Sequence, residues 1–251
     1  MLDQKTGSFR ATLRRSVRLL GEFGHEQTDP ARFYTALAED SAAQLAHYEP
    51  LEGRVLLDVG GGPGYFRDAF RARGATYLAL DADAGELAGL GAGVAAGTML
   101  GSGMQLPVRT GAVDVCYSSN VLEHVPEPWT MAEEMVRVTR PGGLVFLSWT
   151  VWYGPHGGHE TAPWHFLGGR YARRRYARTH GHEPKNRYGE SLFAVTVGSG
   201  LRWLGTQRRA GTVDVVDVLP RYHPWWARWV VRVPVLRELV TWNLVLVLRK
   251  R

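Results

Sequence analysis

The sequence predicts an α/β protein built on one seven-stranded, mostly parallel sheet with helices on both faces. Three observations predict this fold. From Arg54 onward, short apolar strands alternate with helical segments, and the turns between them are short. A glycine-rich turn within residues 56–66 follows the first of these strands. A chain of 251 residues, 45% of them hydrophobic, is also long enough to bury one sizeable core.

Residues 1–50 are expected to form an N-terminal helical cap. The stretch RATLRRSVRLLGEF places Leu13, Val17 and Leu20 on one stripe of a helix, with its arginines largely off that stripe. A second helix begins after Asp29, which can cap it, and a proline follows in the first helical position. The apolar stripe fits contact with the core or with a membrane, and we favour the core because that use is commoner.

Residues 51–150 are expected to form the core of the fold. Its five strands are predicted at RVLLDV, TYLALD, GTML, VDVCYSS and LVFLSW. Helices are predicted at FRDAFRARG and WTMAEEMVRVTR, whereas the Ala- and Gly-rich stretch after the second strand is predicted as helix or loop. A Pro-Gly-Gly turn at residues 141–143 leads into the fifth strand.

Residues 151–251 are expected to form a basic insertion that faces the substrate, followed by the last strands of the same domain. The strand–helix pattern loosens over residues 152–190, which are rich in Gly, His and Arg. GESLFAVTVGSGLRWLG is predicted as a helix. GTVDVVDVLP and TWNLVLVLRK are predicted as the two final strands.

Charge and cysteine content restrict the class of protein. Residues 1–149 carry 13 basic and 18 acidic side chains, whereas residues 150–251 carry 17 and 6, which is typical of a solvated basic face or of an anionic partner. The single cysteine, Cys116, lies in an apolar run, so a reducing cytosol is expected and a disulfide framework is not. No secretory signal is recognised, and charged residues interrupt the apolar residues 225–248, so we expect no transmembrane helix.

The turn LLDVGGGPGYF indicates the class of ligand. A dinucleotide site needs Gly-x-Gly-x-x-Gly, but counting from Gly60 the third glycine position is Tyr65, and no phosphate-binding Gly-Lys-Ser/Thr follows. Asp58, at the end of the first strand, would repel a pyrophosphate and suits a cationic group. S-Adenosylmethionine has an ammonium, a sulfonium and no phosphate. Asp81 lies 21 residues after Gly60, a spacing suited to binding ribose hydroxyls.

With these residues the sequence resembles the class I S-adenosylmethionine-dependent methyltransferases, particularly the small-molecule branch that includes ubiquinone- and menaquinone-type enzymes. VLLDVGGGPGYF is similar to their first motif, YLALDAD to their second, and residues 101–149 to the rest of their core. The whole arrangement is also similar to uncharacterised actinobacterial methyltransferases. This resemblance implies a Rossmann-like fold and S-adenosylmethionine as the methyl donor.

The resemblance also implies which residues bind the donor. Its methionine end would be held by the acid and glycines of the first motif, Asp58, Gly60, Gly62 and Gly64. Its ribose would be bound by Asp81. Its adenine would lie near three residues after the third strand, Ser102, Gly103 and Met104. The first of these departs from the family, which often has an acidic residue there. Asn120, after the fourth strand, would lie near the methionine or methyl end.

An oxygen acceptor must lose a proton, for which a positioned histidine or carboxylate is the usual device. His124 falls just after the fourth strand, where the ligand crevice of an open α/β sheet lies, and is expected to be a base, a substrate contact or a packing residue. His156 and His159 follow the fifth strand and are expected to be alternative bases or turn residues. Their His-x-x-His-Glu spacing lacks the zincin order and is flanked by glycines, so we expect no metal.

The acceptor is expected to be a small or lipid-like molecule, methylated at oxygen. The fourth strand is followed by SSNV instead of the Asn/Asp-Pro-Pro-aromatic motif of amino-directed enzymes. The basic stretch GRYARRRYARTHGH leaves an RNA methyltransferase as an alternative, although nucleic acid is not the favoured partner. A protein that binds S-adenosylmethionine without catalysis is a further alternative. YHPWWARWVVRVPVLREL suits either peripheral membrane contact or a helix packed between the last two strands.

Overall fold

Seven strands form one sheet in the computed structural model of the chain, which describes residues 7–25, 28–88 and 97–251. The strands are β1 (Val55–Val59), β2 (Thr76–Asp81), β3 (Thr98–Leu100), β4 (Val113–Ser119), β5 (Thr139–Thr150), β6 (Val213–Pro220) and β7 (Asn243–Lys250). They lie in the order β3-β2-β1-β4-β5-β7-β6. Neighbours pair in parallel except at β7, which is antiparallel to both β5 and β6. The predicted seven-stranded, mostly parallel sheet is confirmed.

Helices cover both faces of this sheet, as predicted. They are α1 (Leu13–Phe23), α2 (Pro30–Tyr48), α3 (Arg67–Arg71), α4 (Ala84–Ala88), α5 (Pro128–Val138), α6 (Gly169–His180), α7 (Val197–Arg209) and α8 (Leu236–Val240). Successive strand residues feed two separate apolar clusters, because side chains alternate along a strand. Leu56 packs in the cluster that contains α2 and α3, and Leu57 in the cluster that contains α5 and α7.

The topology fixes where a ligand can bind. Strand order reverses between β1 and β4, because the chain adds β2 and β3 on one side of β1 and β4 onward on the other. In an open α/β sheet the ligand crevice lies outside the carboxyl ends of the strands at such a reversal. Asp58, Asp81 and Asn120 all lie at these ends, so the fold brings the predicted donor-binding residues to one edge.

The first helix departs from its prediction. Leu13, Val17 and Leu20, expected to face the core, are exposed, whereas Ser16 and Leu19 are buried. The expectation of core contact is therefore wrong. The physical reason is that α2 covers this part of the sheet, and α1 packs on α2 through the opposite side of its own surface.

Several predicted boundaries also shift. Residues 141–143 are part of β5 and do not form a separate turn before it. Of the stretch predicted as one helix from residue 189, only α7 is helical, because Thr196 and Ser199 form a capping box that starts the helix there. The Ala- and Gly-rich stretch is helical over α4, and its residues 89–96 lie outside the described residues.

The segment between the last two strands is also not the single ordinary helix that was one alternative. It consists of a 3₁₀ helix, Trp225–Arg232, followed by the short α8. Among the described helices, none combines the length and the apolar character needed to cross a bilayer.

Candidate active site

The turn after β1 is built from glycines in a conformation that other residues rarely adopt. Gly60, Gly62 and Gly64 have φ values of +80°, +49° and +88°. A Cβ atom on Gly60 would lie 2.4 Å from Cγ2 of Val121, which follows β4. The turn therefore needs glycine both for its backbone conformation and for the close approach of β1 and β4.

Asp81 connects the end of β2 to this turn. Its Oδ2 accepts a hydrogen bond of 2.9 Å from Gly62 N, and its Oδ1 accepts one of 2.9 Å from Asp83 N. The carboxylate is half-buried and retains lone pairs beyond those two bonds, so it can also accept hydrogen bonds from hydroxyl groups. Its place and chemistry suit the predicted contact with ribose hydroxyls.

Asp58 lies buried under the glycine turn. The Tyr77 hydroxyl donates a hydrogen bond of 2.7 Å to its Oδ2. Burial above all, and to a smaller extent the charge of Asp81, raise the pKa of Asp58 to about 7, although the hydrogen bond from Tyr77 lowers it. Burial disfavours the charged form of the Asp58 carboxylate. A cation bound beside it would have the opposite effect and favour its ionisation.

The two carboxylates are compatible with S-adenosylmethionine. In the described part of the chain neither Asp58 nor Asp81 forms an ion pair, so no cationic side chain of those residues neutralises either carboxylate. A phosphate would face two acids at this position and be repelled. The chemistry of the residues therefore fits a donor that has an ammonium and a ribose and no phosphate.

The three residues predicted near adenine lie just after β3, next to Asp81. Gly101 N donates a hydrogen bond of 2.9 Å to the Asp81 carbonyl, which holds this loop against β2. Ser102 Oγ accepts a hydrogen bond from Met104 N, and Gly103 packs so closely on α5 that a Cβ atom there would lie 3.0 Å from Met131 Sδ. The position suits a wall of the donor site.

Asn120, after β4, is held on two sides. Its backbone has a φ of +57°, which is uncommon for a residue other than glycine. Its N donates a hydrogen bond of 3.0 Å to the Ser148 carbonyl, and its Oδ1 accepts one of 2.8 Å from Asn243 Nδ2. Asn120 therefore shapes the loop next to the glycine turn, with its side-chain oxygen bonded to β7.

Two of the three candidate histidines lie together. The ring centroids of His124 and His159 are 5.1 Å apart, in short 3₁₀ turns that follow β4 and β5. His124 Nδ1 donates a hydrogen bond of 2.7 Å to the Ser191 carbonyl. This bond fixes the tautomer of a neutral ring, so the lone pair of His124 Nε2 is available to another group.

His159 has a different electrostatic environment. Burial, and secondarily the neighbouring His124, lower the pKa of His159 to about 3. Its Nε2 is buried without a hydrogen-bond partner among the described atoms, and its φ is +47°. An imidazole in this environment stays neutral at physiological pH and is a weak proton acceptor.

His156 packs among aromatic rings. Its ring lies 4.5 Å from the ring of Phe23, at the end of α1, and 4.7 Å from that of Trp242. Burial lowers the pKa of His156 as well. The aromatic contacts suit a wall of the acceptor site more than a base.

Glu123, which precedes His124 and is buried, was not among the residues predicted for the site. Its Oε1 accepts a hydrogen bond of 2.8 Å from Thr150 N, whereas its Oε2 has no partner among the described atoms. Ligand atoms of Glu123, His124 and His159 lie within 4.8 Å of one another, a grouping that could hold a divalent ion. Of the His-x-x-His-Glu run, at which no metal was expected, only His159 belongs to this grouping, and Glu160 accepts a hydrogen bond from Asn186. In the sequence, the acidic residue directly before the candidate base His124 was the feature that could have identified Glu123.

A second missed residue is Arg221, which follows β6 and is fully buried. Its guanidinium donates hydrogen bonds to three hydroxyls, those of Ser41, Ser119 (2.7 Å) and Ser148 (3.0 Å). No pattern in the sequence distinguishes this arginine from the many others in the basic half of the chain. It brings a positive charge close to the carboxyl end of β4.

The chain is similar in sequence and in fold to known methyltransferases. A family described as a methyltransferase domain matches residues 57–147. Uncharacterised methyltransferases from Mycobacterium bovis and Mycobacterium avium are 54% and 55% identical to this chain, over 95% and 96% of it and 96% of each relative. A solved S-adenosylmethionine-dependent methyltransferase from Mesorhizobium loti shares the fold with a TM-score of 0.57 at 21% identity, over 85% of this chain and 100% of its own. A geranyl diphosphate methyltransferase solved with S-adenosylmethionine has a TM-score of 0.55 at 15% identity, over 94% and 90%.

Proposed function

The chain belongs to the class I S-adenosylmethionine-dependent methyltransferases, and from this premise we propose that it methylates a hydroxyl oxygen of a small, lipid-like acceptor. The methyl donor is S-adenosylmethionine. The observation that carries the proposal is the pair His124 and His159 beside the donor-binding edge of the sheet. An imidazole with a free lone pair at this place suits removal of a proton from oxygen.

The donor end of the site would be held by residues already described. Asp58 would face the methionine ammonium, and Asp81 would accept hydrogen bonds from the ribose hydroxyls. Gly60, Gly62 and Gly64 let the backbone approach the ligand without side chains in between. When bound, S-adenosylmethionine supplies an electrophilic methyl group on a sulfonium. The chain's own contribution is then to align the acceptor with that methyl group and to exclude water.

His124 is a better candidate base than His159. The bond from His124 Nδ1 to the Ser191 carbonyl orients the ring and leaves Nε2 unprotonated, as a general base requires. His159 is a weak proton acceptor because of its low pKa, so we assign it the positioning of the acceptor or of His124. Glu123 Oε2, buried nearby, would stabilise the imidazolium that forms when His124 takes the proton.

The aromatic surroundings favour a lipid-like acceptor. Phe23, His156 and Trp242 form one group of edge-to-face and tilted rings beside the loop that carries His159. Rings of this kind bind apolar or partly apolar molecules through dispersion and hydrophobic contact. An acceptor with an apolar body and a hydroxyl head would have both ends matched.

The basic surface of α6 gives the RNA alternative less support than its composition suggested. Arg173 forms ion pairs with Glu183 and Glu190, and Arg187 also pairs with Glu190. Arg173 is the one α6 arginine with an ion pair among the described residues, and Arg187 follows the helix, so the chain's own acids neutralise only part of this basic surface. RNA binding would have to replace those pairs, which reduces the gain from phosphate contacts.

A labelling experiment tests the function. The enzyme is incubated with methyl-tritiated S-adenosylmethionine and a mycobacterial extract that has been divided into lipid, aqueous metabolite and RNA fractions. We expect the label to enter the lipid fraction as an O-methyl ether. Label in the RNA fraction that ribonuclease releases would favour the alternative. Tight binding of the donor by calorimetry with no transfer to any fraction would indicate a non-catalytic protein.

A further inference from the structure

The first helix presents its apolar stripe to solvent. Leu13 and Val17 are 57% and 62% exposed, and Leu20 lies on the same stripe. The opposite side of α1 packs on α2 through Leu19 and through the ion pair of Arg15 with Asp40. An amphipathic helix normally buries its apolar stripe, so this stripe lacks a partner within the described chain.

A second exposed apolar element lies in the 3₁₀ helix Trp225–Arg232, which we call the tryptophan segment. Trp226 and Trp229 are 57% and 53% exposed, and Trp225 is also exposed. A 3₁₀ helix has three residues per turn, so Trp226, Trp229 and Arg232 lie in one line on its outer side. The inner side is anchored in the protein by Val230 and Val231.

These two elements meet at their N-terminal ends. Trp225 N donates a hydrogen bond of 2.8 Å to the carbonyl of Ala11, just before α1. The Arg10 guanidinium lies 5.2 Å from the centroid of the Trp225 ring, within cation–π range. Arg228, inside the tryptophan segment, donates a hydrogen bond to the Phe9 carbonyl. The exposed stripe and the tryptophans therefore belong to one side of the molecule.

The charged residues of this side are mostly cationic. Arg10, Arg14, Arg18 and Arg232 are exposed along the two elements, and of these Arg18 forms an ion pair of 3.7 Å with Asp40. Of the acids on α1 and α8, Glu22 is paired with Arg32, and Glu238 accepts hydrogen bonds from the first turn of α7. A group of apolar side chains with exposed arginines around it is complementary to a surface that is apolar inside and anionic outside.

We propose that α1 and the tryptophan segment form a docking surface for an anionic phospholipid bilayer. Its apolar contacts are made by Leu13, Val17, Leu20, Trp225, Trp226 and Trp229. Tryptophan rings favour the headgroup level of a bilayer, and an amphipathic helix with arginines lies flat in that interface. Each arginine near an anionic leaflet adds to the electrostatic attraction between the protein and the bilayer. A second copy of this chain fits less well, because two identical cationic surfaces would repel each other.

The docking surface extends towards the acceptor side of the site. Phe23 ends α1, and its ring contacts His156, in the loop that leads to His159. A docked molecule would therefore have this loop near the bilayer. That consequence rests on the proposed lipid-like acceptor, whereas the docking surface itself does not.

Vesicle flotation of the full chain tests the docking. We expect the protein to float with vesicles of phosphatidylcholine and phosphatidylglycerol. We expect much less to float with phosphatidylcholine alone, and less again as salt is raised, because salt screens the arginines. The double substitutions Trp226→Ser with Trp229→Ser, and Leu13→Ser with Val17→Ser, should each weaken binding at least about tenfold.

Two control variants locate the effect. Trp164→Ser removes an exposed tryptophan of the basic insertion, which lies over Arg175, and Val215→Ser removes an exposed apolar side chain of β6. Both should bind vesicles as the wild type does. All variants should bind S-adenosylmethionine with wild-type affinity, which checks their folding. If a double variant misfolds, a second measurement replaces the comparison of its vesicle binding with that of the wild type. Brominated phosphatidylglycerol should quench the tryptophan fluorescence of the wild type, and this quenching should be retained in Trp164→Ser.

Three results would overturn the proposal. The wild type would fail to bind the anionic vesicles at low salt, or the two double variants would bind as well as the wild type does. The third is a wild-type dimer, seen by sedimentation, that the double variants lose, because this would assign the surface to a second copy. Methyl transfer to a detergent-dispersed lipid extract is measured in the same variants. This assay needs no bilayer, so it tests the proposed reaction independently of the proposed docking. Docking variants should keep that activity.

Discussion

The proposed donor end of the site, at Asp58 and Asp81, and the proposed acceptor end, at Glu123, His124 and His159, differ in how their polar groups are satisfied. At the donor end, Asp58 accepts a hydrogen bond from Tyr77, and Asp81 accepts one from Gly62 N. At the acceptor end, Glu123 Oε2 and His159 Nε2 are buried without partners among the described atoms. An unsatisfied buried polar atom costs about 1–3 kcal/mol. The donor end is therefore complete as folded, whereas the acceptor end is stabilised only when a partner arrives.

The same difference distinguishes residues that stabilise the fold from residues that we assign to the reaction. Groups that already hold the backbone in place, such as Asp81, serve the fold and the ligand together. Groups without partners, such as His159, lower the stability of the fold and are retained for another reason, which we assign to the acceptor. Substitutions at the two ends should therefore change different measured quantities.

The largest effect is expected at His124. In His124→Ala the proposed base is lost, so turnover should fall by about 10²- to 10⁴-fold, the usual contribution of a general base. The affinity for S-adenosylmethionine should stay within about threefold, because His124 lies at the acceptor end. Transfer of tritiated methyl at saturating donor measures the first quantity and calorimetry the second.

His180→Ala is the matched control, because His180 is an exposed histidine at the end of α6 and should be silent. Full turnover in His124→Ala would remove His124 from the mechanism. A different result would come from dialysis against a chelator. If the wild type lost its activity and a divalent ion restored it, Glu123, His124 and His159 would act as metal ligands instead.

The next effect is expected at Asp81. Asp81→Ala removes the charge-assisted hydrogen bonds to the ribose and the bond that holds Gly62 N. At about 1.5–3 kcal/mol for each of the two bonds to this charged group, donor affinity should fall about 10²- to 10⁴-fold by calorimetry. Asp83→Ala is the control, since that side chain bonds Gly85 N and not the turn, and it should change the affinity little. Wild-type affinity in Asp81→Ala would refute the donor site.

The positions of Asp58 and Asp81 in the fold could be predicted from the sequence because both residues lie at the ends of strands, whereas their binding of the donor stays a prediction. The place of Asp58 and Asp81 is fixed by the lengths of β1 and β2, and the topology then brings them together. The acceptor end depends on contacts between residues distant along the chain. His124 meets His159 only because the insertion folds back, with the Ser191 carbonyl as its partner.

The error at α1 has a different origin. Periodicity shows which residues share a face of a helix, and Leu13, Val17 and Leu20 do share one. It does not show towards what that face points, because this depends on which neighbouring element has already covered the sheet. The burial of Arg221 was likewise unpredictable, since its three hydroxyl partners come from separate elements.

Within the donor end, two glycines should respond unequally. Gly60→Ala combines a positive φ with a Cβ atom 2.4 Å from Val121, so it should lower the free energy of unfolding by about 2–4 kcal/mol. Gly64→Ala has the strained φ but no heavy atom within 4 Å of its Cβ, so a loss of about 1–2 kcal/mol is expected. Urea denaturation measures both. Equal losses would show that the packing against β4 is not what requires glycine at residue 60.

The smallest effect, in affinity, is expected from the pH dependence of donor binding. The pKa of Asp58 is raised to about 7 by burial, so the ligand-free protein holds this carboxyl increasingly protonated below pH 7. A cationic ammonium favours the ionised form. Donor affinity should therefore rise about tenfold between pH 6 and pH 7.5 and then level off. Calorimetry across this range, with Asp58→Asn as the comparison, measures the effect, and the variant should show a flatter profile.

The stability of the ligand-free protein should change in the opposite direction. A carboxyl group whose pKa is raised in the folded state contributes stability below its unfolded pKa, near 4, and that contribution is lost as pH rises through about 7. Wild-type protein should therefore lose stability relative to Asp58→Asn over this window while its donor affinity increases. If both quantities changed in the same direction, Asp58 would not be the group that couples the buried turn to the ligand's charge.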